Sequence, residues 1–381
     1  MKRISTLLVL LLSFVAVYAG GIKNAKDLAA FAKAVNKGES ISAWQNDNGV
    51  VCLEGDINMA KMKKWTPIKS LACAFDGQGH ALLNWKTKCG LFELIEEKGV
   101  VQNLRIDSSC SMNVNIKGDV VVGFIAHINK GTIQKCENGG SITYKGGYTE
   151  QHIYIGGLAG QNGRTIRDSR NSGIISVESV IASANKGLNL LVGGIAGSTV
   201  PKGSRVIIIY RCENKAPITI KSDVPRIYAG GIVGYSGRAG IRYCTNSGGI
   251  SAIGSKGNPE AKYYANVGGI TGQSGQHIQC SDNFGRIHID GSHISYAGGI
   301  CGGLNAVRNI VGCSNYGDVI STCATASNFA GIIGASGDGV HLCNCNNYGA
   351  VSYKGSTAPK GTQLGGVAGY IFSKKNTKYG S

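Results

Sequence analysis

A repeated glycine-rich segment constrains the fold of this chain more than any other feature. The segment reads Gly-Ile-x-Gly, or a close variant, and recurs every 30–38 residues. Its leading glycines are Gly157, Gly194, Gly231, Gly269, Gly299, Gly331 and Gly366. A unit of about 35 residues is too small to bury a core alone, so the units must stack on one another.

A second repeated segment follows each glycine motif and reads Ile-x-x-Cys-x-Asn-x-Gly-x-Ile. Its asparagines are Asn138, Asn171, Asn214, Asn246, Asn283, Asn315 and Asn347. The spacing of two from Cys through Asn and Gly to Ile is the period of a β-strand, and no helical period runs through a unit. We therefore predict an all-β parallel β-solenoid with one coil per unit and three short strands per coil. A propeller is the alternative, but its blades need 40–45 residues and four strands.

Stacked coils place identical residues above one another at a spacing of about 4.8 Å. A column of asparagines can then pass amide hydrogen bonds from coil to coil, which satisfies polar groups that are costly to bury. The glycine columns indicate positive-φ turns or a close approach of two backbones.

Composition excludes two other classes of protein. The chain has 58 Gly and 6 Pro in 381 residues, without glycine at every third position, so it is not collagen-like. Hydrophobic residues make up 43% and charged residues only 16%, which excludes a disordered polyelectrolyte.

The first residues predict export from the cytoplasm. Lys2 and Arg3 precede the apolar run Leu7–Val17, and a small residue, Ala19, closes the segment, as in a secretory signal peptide over residues 1–19. No cysteine precedes Cys52, so we expect no lipid anchor, and no later apolar run reaches membrane-spanning length. We expect a periplasmic, cell-surface or extracellular protein.

The formal charge of the chain is +17, and loss of Lys2 and Arg3 with the signal peptide leaves +15. This balance favours polyanionic partners such as acidic glycans or matrix polymers, although a charge that serves solubility alone is the alternative. Lysines and arginines are scattered outside the basic tail, residues 371–381, so we predict no dedicated nucleic-acid site.

The motifs Gly-Gly-Leu-Ala-Gly (156–160) and Gly-Gly-Ile-Ala-Gly (193–197), each followed by Ser-x-Asn or Cys-x-Asn and Gly-x-Ile, resemble the GLUG-motif repeat. The resemblance covers residues 90–370, with one departure at Ala216, where other units carry glycine. It implies a right-handed parallel β-helix of the kind found in bacterial secreted and surface proteins, including adhesin-like proteins and some peptidases. It implies no single activity, because the repeat is a scaffold.

Residues 20–89 precede the repeats and predict a cap with the first coils. Ala25–Lys37 has the pattern of an amphipathic helix, with Asn24 as its N-cap and Gly38 as its stop. Such a helix would cover the open end of the solenoid. The segment Phe75–His80 has the composition of a turn rather than of an active site.

Thirteen cysteines in an exported chain raise the question of disulfides. Five lie in the repeat column two residues before the asparagines: Cys136, Cys212, Cys244, Cys313 and Cys345. Serine replaces cysteine twice in this column, which favours buried thiols that act as small apolar groups. Disulfides between successive coils are the alternative.

Catalytic residues are harder to identify. The 22 carboxylates are spread thinly, whereas β-helix lyases and glycosidases need them clustered. The best polar cluster lies within about one coil, and we interpret it as surface decoration: His277, Asp282, His288, Asp290 and His293. His288, Asp290 and His293 are its weak catalytic candidates. No spacing typical of a metal site occurs, and we expect no metal and no cofactor.

Outward aromatic residues supply the binding hypothesis. Phe284, Tyr316 and Tyr348 lie between the repeat Asn and Gly in three successive units, and Arg286 follows nearby. They would form an exposed stripe able to contact sugar rings and anionic groups, although rings that only stack on each other are the alternative. We expect three tyrosines that precede Gly-Gly to pack between strands instead: Tyr154, Tyr228 and Tyr296.

Together these features favour an exported, non-enzymatic, adhesin-like protein that binds extracellular glycans or a matrix polyanion as a monomer. A polysaccharide lyase or glycoside hydrolase is the first alternative, and a structural spacer is the second.

Overall fold

A computed structural model describes residues 20–115, 120–147, 152–180, 188–199, 207–254, 264–291, 294–304, 309–337 and 339–371. The signal peptide predicted for residues 1–19, the candidate His293 and the basic tail after residue 371 lie outside this part of the chain.

The described chain is a parallel β-solenoid, which confirms the predicted fold class. Each full coil crosses five parallel sheets in turn, here numbered 1 to 5 in chain order, and every strand pairs with its equivalents in the coils above and below. The strand pairs keep register in these stacks, so Ile133 lies beside Ile166, and Asn138 lies beside Asn171.

Sheet 1 has ten strands: Val51–Cys52, Ala74–Asp76, Val100–Gln102, Thr132–Gln134, Thr165–Arg167, Ile207–Tyr210, Ala239–Arg242, Ile278–Gln279, Asn309–Val311 and His341–Cys343. Sheet 2 has ten: Ile57–Asn58, Ala81–Leu83, Arg105–Ile106, Glu137–Asn138, Arg170–Asn171, Glu213–Asn214, Thr245–Asn246, Asp282–Asn283, Ser314–Asn315 and Asn346–Asn347. Sheet 3 has nine: Lys86–Thr87, Ser111–Val114, Ser141–Gly147, Ile175–Val180, Ile218–Ser222, Ile250–Gly254, Ile287–Asp290, Val319–Ser321 and Val351–Tyr353.

Sheet 4 has eight strands: Val120–Val122, Ile153–Gly156, Asn189–Gly193, Arg226–Gly230, Tyr264–Gly268, Ile294–Gly298, Asn328–Ala330 and Gln363–Gly365. Sheet 5 has nine: Phe92–Ile95, Ala126–Asn129, Ala159–Asn162, Ala196–Thr199, Val233–Ser236, Thr271–Ser274, Cys301–Leu304, Ile333–Ser336 and Ala368–Ile371.

The prediction of three strands per coil was wrong, because two of the expected strands are divided. A left-handed residue before the Cys/Ser column, such as Lys135 (φ 52°) or Arg211 (φ 49°), separates sheet 1 from sheet 2. The first glycine of each Gly-Gly motif ends a sheet 4 strand, and the second glycine with the apolar residue after it forms a bend between sheets 4 and 5. The glycines of the motif are needed for close approach, not for positive φ: a Cβ on Gly231 would overlap the Asn246 amide and the Gly269 carbonyl.

The asparagine column runs through the interior as a hydrogen-bonded ladder. Asn246 is fully buried, and its Oδ1 accepts a hydrogen bond from Nδ2 of Asn214 in the preceding coil (2.8 Å). Its own Nδ2 donates to Oδ1 of Asn283 in the next coil (2.8 Å) and to the Gly248 carbonyl (2.9 Å). The same Asn-to-Asn hydrogen bond links all seven asparagines of the column, from Asn138 to Asn347. The ladder therefore fixes the turn after sheet 2 without leaving buried amides unpaired.

The helix predicted at the N-terminus is present with the predicted bounds, Ala25–Lys37, and a short 3₁₀ helix follows at Ser42–Trp44. The Asn24 side chain accepts from the backbone of Lys26 (2.9 Å) and Asp27, and Gly38 ends the helix at φ 71°. Phe31 is fully buried and packs against Phe75 of the second coil, with ring centroids 6.2 Å apart. The helix thereby covers apolar residues at the end of the solenoid.

Candidate functional site

The predicted aromatic stripe is a stack of three rings on the outer surface, here called the aromatic stack (Phe284, Tyr316 and Tyr348). The rings of Phe284 and Tyr316 are nearly parallel (2°), with centroids 4.6 Å apart, and those of Tyr316 and Tyr348 are 4.9 Å apart. All three are exposed. Because the rings cover each other's faces, only their edges and the two end faces are free for a ligand.

Arg286 lies two residues beyond Phe284 and is exposed. Among the described residues it forms no ion pair. It is therefore free to meet an anionic group near one end of the stack, as the sequence suggested.

A second pair of outward columns runs along the bend between sheets 4 and 5. Each coil contributes one side chain from sheet 4 and another, seven residues later, from sheet 5. The sheet 4 column runs Tyr228, Asn266, Tyr296, Asn328 in register. The sheet 5 column runs Tyr235, Gln273, Gly303, Ala335, Tyr370.

The small side chains in these columns open a groove of about 380 Å³, here called the tyrosine groove. Its lining includes Tyr228, Tyr264, Tyr296, Asn266, Gln273 and Ser336. The same column carries Tyr235 two coils before Gly303 and Tyr370 one coil after Ala335, so the small residues between them leave the hollow unfilled. The three tyrosines are half-exposed, which leaves parts of their rings available to a ligand.

Buried polar groups lie at the base of the tyrosine groove. Asn266 and Gln273 are 8% and 7% exposed, and Nδ2 of Asn266 donates to Oε1 of Gln273 at 3.2 Å. Oδ1 of Asn266 and Oγ of Ser336 have no hydrogen-bond partner within the described protein. Buried polar atoms of this kind are normally satisfied by water or by a bound molecule.

The tyrosine groove is uncharged, since no ionised side chain lines it. Burial raises the pKa of Tyr228 and of Tyr296, so both phenols stay protonated at neutral pH. Tyrosine rings, amides and a hydroxyl together offer apolar faces and neutral hydrogen-bonding groups. This chemistry suits a polyhydroxylated ligand better than an ion.

Sequence reasoning missed this groove, because it assigned Tyr154, Tyr228 and Tyr296 to strand packing. Tyr228 does contact Tyr235 edge to face, with centroids 5.5 Å apart. The signal for a hollow is Gly303, seven residues after Tyr296, at the spacing that places Tyr235 after Tyr228. That spacing has meaning only once the bend is known.

The weak catalytic candidates do not form an assembled site within the described chain. His288 and Asp290 are half-buried on the outward side of one strand, Ile287–Asp290. Nε2 of His288 lies 3.3 Å from Oγ1 of Thr322, a contact typical of a surface side chain. No group of three or more His, Cys, Asp or Glu side chains within the described ranges could hold a metal ion.

A third surface hollow carries the densest charges, and two of its carboxylates are paired with arginines. Nη2 of Arg170 lies 2.8 Å from Oε2 of Glu137, and Nε of Arg211 lies 2.6 Å from Oδ1 of Asp168. The hydrogen bond from Arg170 lowers the pKa of Glu137. A general acid for glycoside cleavage needs a raised pKa, so this hollow is poorly suited to that chemistry.

All thirteen cysteines lie within the described residues, and they are free thiols. In the repeat column Cys136, Cys212, Cys244 and Cys313 are buried, and Ser169 and Ser281 take their place in two coils. Burial raises the pKa of Cys136 to about 12. This high pKa keeps the Cys136 thiol protonated at neutral pH, and the buried cysteines of the column fill space as small apolar groups.

Comparisons with known proteins add little to this picture. No family model and no curated protein matches the chain, so the resemblance to GLUG-motif repeats has no matching family model. A solved structure from Bacteroides ovatus, described as a "putative immunoglobulin A1 protease", is similar at a TM-score of 0.40 and 16% identity, over 91% of this chain and 83% of that chain. A similarity at this level carries no argument about activity. No helix in the described ranges has the length and hydrophobicity to cross a membrane.

Proposed function

We propose that this protein is an exported, non-enzymatic, adhesin-like binding protein built from GLUG-type repeats, and that it binds glycan chains in the tyrosine groove. The observation that carries the proposal is the groove itself: three half-exposed tyrosines above a base of buried amides whose hydrogen-bonding capacity the protein does not fill. The predicted signal peptide supports an extracytoplasmic location.

Sugars present apolar C–H faces and a rim of hydroxyl groups. Tyr228 and Tyr296 would pack against the faces, and Asn266, Gln273 and Ser336 would exchange hydrogen bonds with hydroxyls at the base. Asn266 can both donate and accept, which matches the dual character of a hydroxyl. A rigid solenoid holds these groups in place before binding, which lowers the entropic cost of association.

The aromatic stack is a second contact in this proposal. Its end rings, Phe284 and Tyr348, each keep one face that the stack does not cover, and Arg286 stands near one end. The two surfaces could engage separate chains of one glycan layer, which would strengthen weak individual contacts.

A glycan array with residues 20–381 tests the proposal, with product analysis of every glycan that binds. We expect binding without cleavage. Cleavage products would replace the proposal with an enzymatic function. Absence of binding to every glycan would also overturn it and leave a protein ligand or a structural role.

A further inference from the structure

Lysines that are scattered along the sequence gather at the N-terminal end of the solenoid. Two hollows flank Trp65 there, one of about 440 Å³ beside the cap helix and one of about 490 Å³ on the other side. Together they form the lysine basin, whose lysines are Lys33, Lys37, Lys63, Lys64, Lys69, Lys86 and Lys88.

The fold holds the lysine basin on a fixed frame. The Asn36 side chain binds the loop that carries Lys69 twice, through the Pro67 carbonyl (2.9 Å) and the Lys69 amide (2.7 Å). Trp65 is buried beneath the lysines, and its Nε1 donates to the Gly90 carbonyl at 3.2 Å. These bonds join the cap helix, the loop and the next coil, so the lysines converge without a large loss of backbone entropy on binding.

The positive charge of the basin is largely uncompensated. No carboxylate lines either hollow. Within the described chain Lys63, Lys64, Lys86 and Lys88 form no ion pair, and Lys37 pairs with Glu39 at 3.4 Å outside the hollows. The arginines near Glu137 and Asp168 are paired with carboxylates, whereas the lysines that line the basin have no carboxylate beside them in either hollow.

We propose that the lysine basin is a binding site for a linear acidic polysaccharide that carries sulfate or carboxylate groups. The site lies four strand spacings of sheet 3, about 19 Å, from the coil that carries Tyr228, and so is separate from the tyrosine groove. The inference goes beyond the proposed function, because it assigns a second site with a different ligand chemistry.

Two features favour a polysaccharide over other polyanions. Trp65 is only 8% exposed, so the basin offers no open aromatic face on which single-stranded nucleic acid could stack its bases. The large exposed apolar side chains of the described chain begin at Ile174, three coils beyond Lys86, so none lines the basin as an anchor for an anionic membrane.

The test is binding of dextran sulfate, measured over a range of NaCl concentrations, with neutral dextran as reference. The variant replaces Lys63, Lys64, Lys86 and Lys88 with Gln. A matched variant replaces four exposed lysines elsewhere with Gln: Lys130, Lys221, Lys354 and Lys360. Both lose four charges, so they separate a local site from overall charge, and circular dichroism checks that both fold.

We expect the basin variant to bind at least about tenfold more weakly, with a salt dependence reduced by about one per contacting lysine. The matched variant should stay within about threefold of the original protein. Equal losses in both variants, or no loss in the basin variant, would overturn the assignment. So would tighter basin-dependent binding of duplex DNA, or of phosphatidylserine vesicles, than of dextran sulfate.

Discussion

Both outward aromatic surfaces of this solenoid consist of side chains that successive coils place in register, but one aromatic column is continuous and the other is interrupted. In the aromatic stack, three successive coils carry Phe284, Tyr316 and Tyr348, and each ring lies flat on its neighbour. In the sheet 4 column of the tyrosine groove, Tyr228 and Tyr296 are separated by Asn266. If residue 266 were also aromatic, the strand spacing would bring three rings into contact there as well.

The difference shows how a repeat fold converts a structural ladder into a binding site. In an uninterrupted aromatic column each ring packs against the next, so the inner ring faces are not available to a ligand. A column interrupted by a smaller polar residue leaves two rings apart and a polar base between them. The gap at Asn266, with Gly303 and Ala335 beside it, is therefore what we expect to select a ligand.

Filling the gap should have the largest effect. Asn266→Tyr would continue the aromatic column and occupy the groove, so affinity for the array glycan should fall at least about 30-fold, or about 2 kcal/mol. The matched control is Ser172→Tyr, which adds an exposed ring in the other column three coils before Phe284 and should leave affinity unchanged. Titration calorimetry measures the glycan affinity of both variants. Equal affinities would show that the gap at Asn266 is not the binding site.

Removal of one wall should have a smaller effect. Tyr296→Ala deletes one ring of the groove and should weaken binding about tenfold, since aromatic contacts dominate sites of this kind. Tyr316→Ala deletes a ring of similar size whose faces are already covered, and it should change affinity less than about threefold. If the stack variant lost more affinity than the groove variant, the stack would be the main binding surface.

A gap placed in the stack should cost stability rather than affinity. Tyr316→Asn removes two ring contacts, so the free energy of unfolding should fall by about 1 kcal/mol. Urea unfolding measures this change, with Ser247→Asn as a control at an exposed position of the same column. An unchanged unfolding midpoint in Tyr316→Asn would show that the stack contributes nothing to the fold.

The smallest expected effect is on the alkaline side of the pH profile. The pKa values of Tyr228 and Tyr296 are raised from 10.0 by burial, so the unfolded chain ionises these phenols first. Their contribution to stability is full below pH 10 and is lost as the pH rises through the folded pKa values.

Replacing both with Phe should remove this part of the decline, measured as the change in urea midpoint between pH 9 and pH 11. The cysteines contribute equally to both proteins and cancel in the difference. Identical declines in the original protein and the double variant would mean that these phenols are not desolvated.

Features that depend on one column could be predicted from the sequence. The coil repeat, the asparagine ladder and the Ala25–Lys37 helix follow from residue spacing alone, because a solenoid places equivalent residues above one another. The strand division was not predictable in the same way, since it depends on left-handed residues such as Lys135 and Arg211, which sequence patterns do not mark.

Features that depend on several columns could not be predicted. The tyrosine groove requires Tyr296 and Gly303 to meet across a bend, and the lysine basin requires Lys33 on a helix to face Lys64 on a loop. Neither neighbourhood is visible along the chain, so the tyrosines were interpreted as packing and the lysines as scattered. The three rings of the aromatic stack belong to one column, and the structure places them together.

Hydroxyl-radical footprinting, with and without saturating array glycan, tests the central claim most directly, because it reports where the ligand lies on the original protein. We predict that the glycan protects Tyr228, Tyr264 and Tyr296 from oxidation more strongly than it protects Tyr316. Protection confined to Phe284, Tyr316 and Tyr348, with the groove tyrosines unchanged, would contradict the account and assign binding to the aromatic stack.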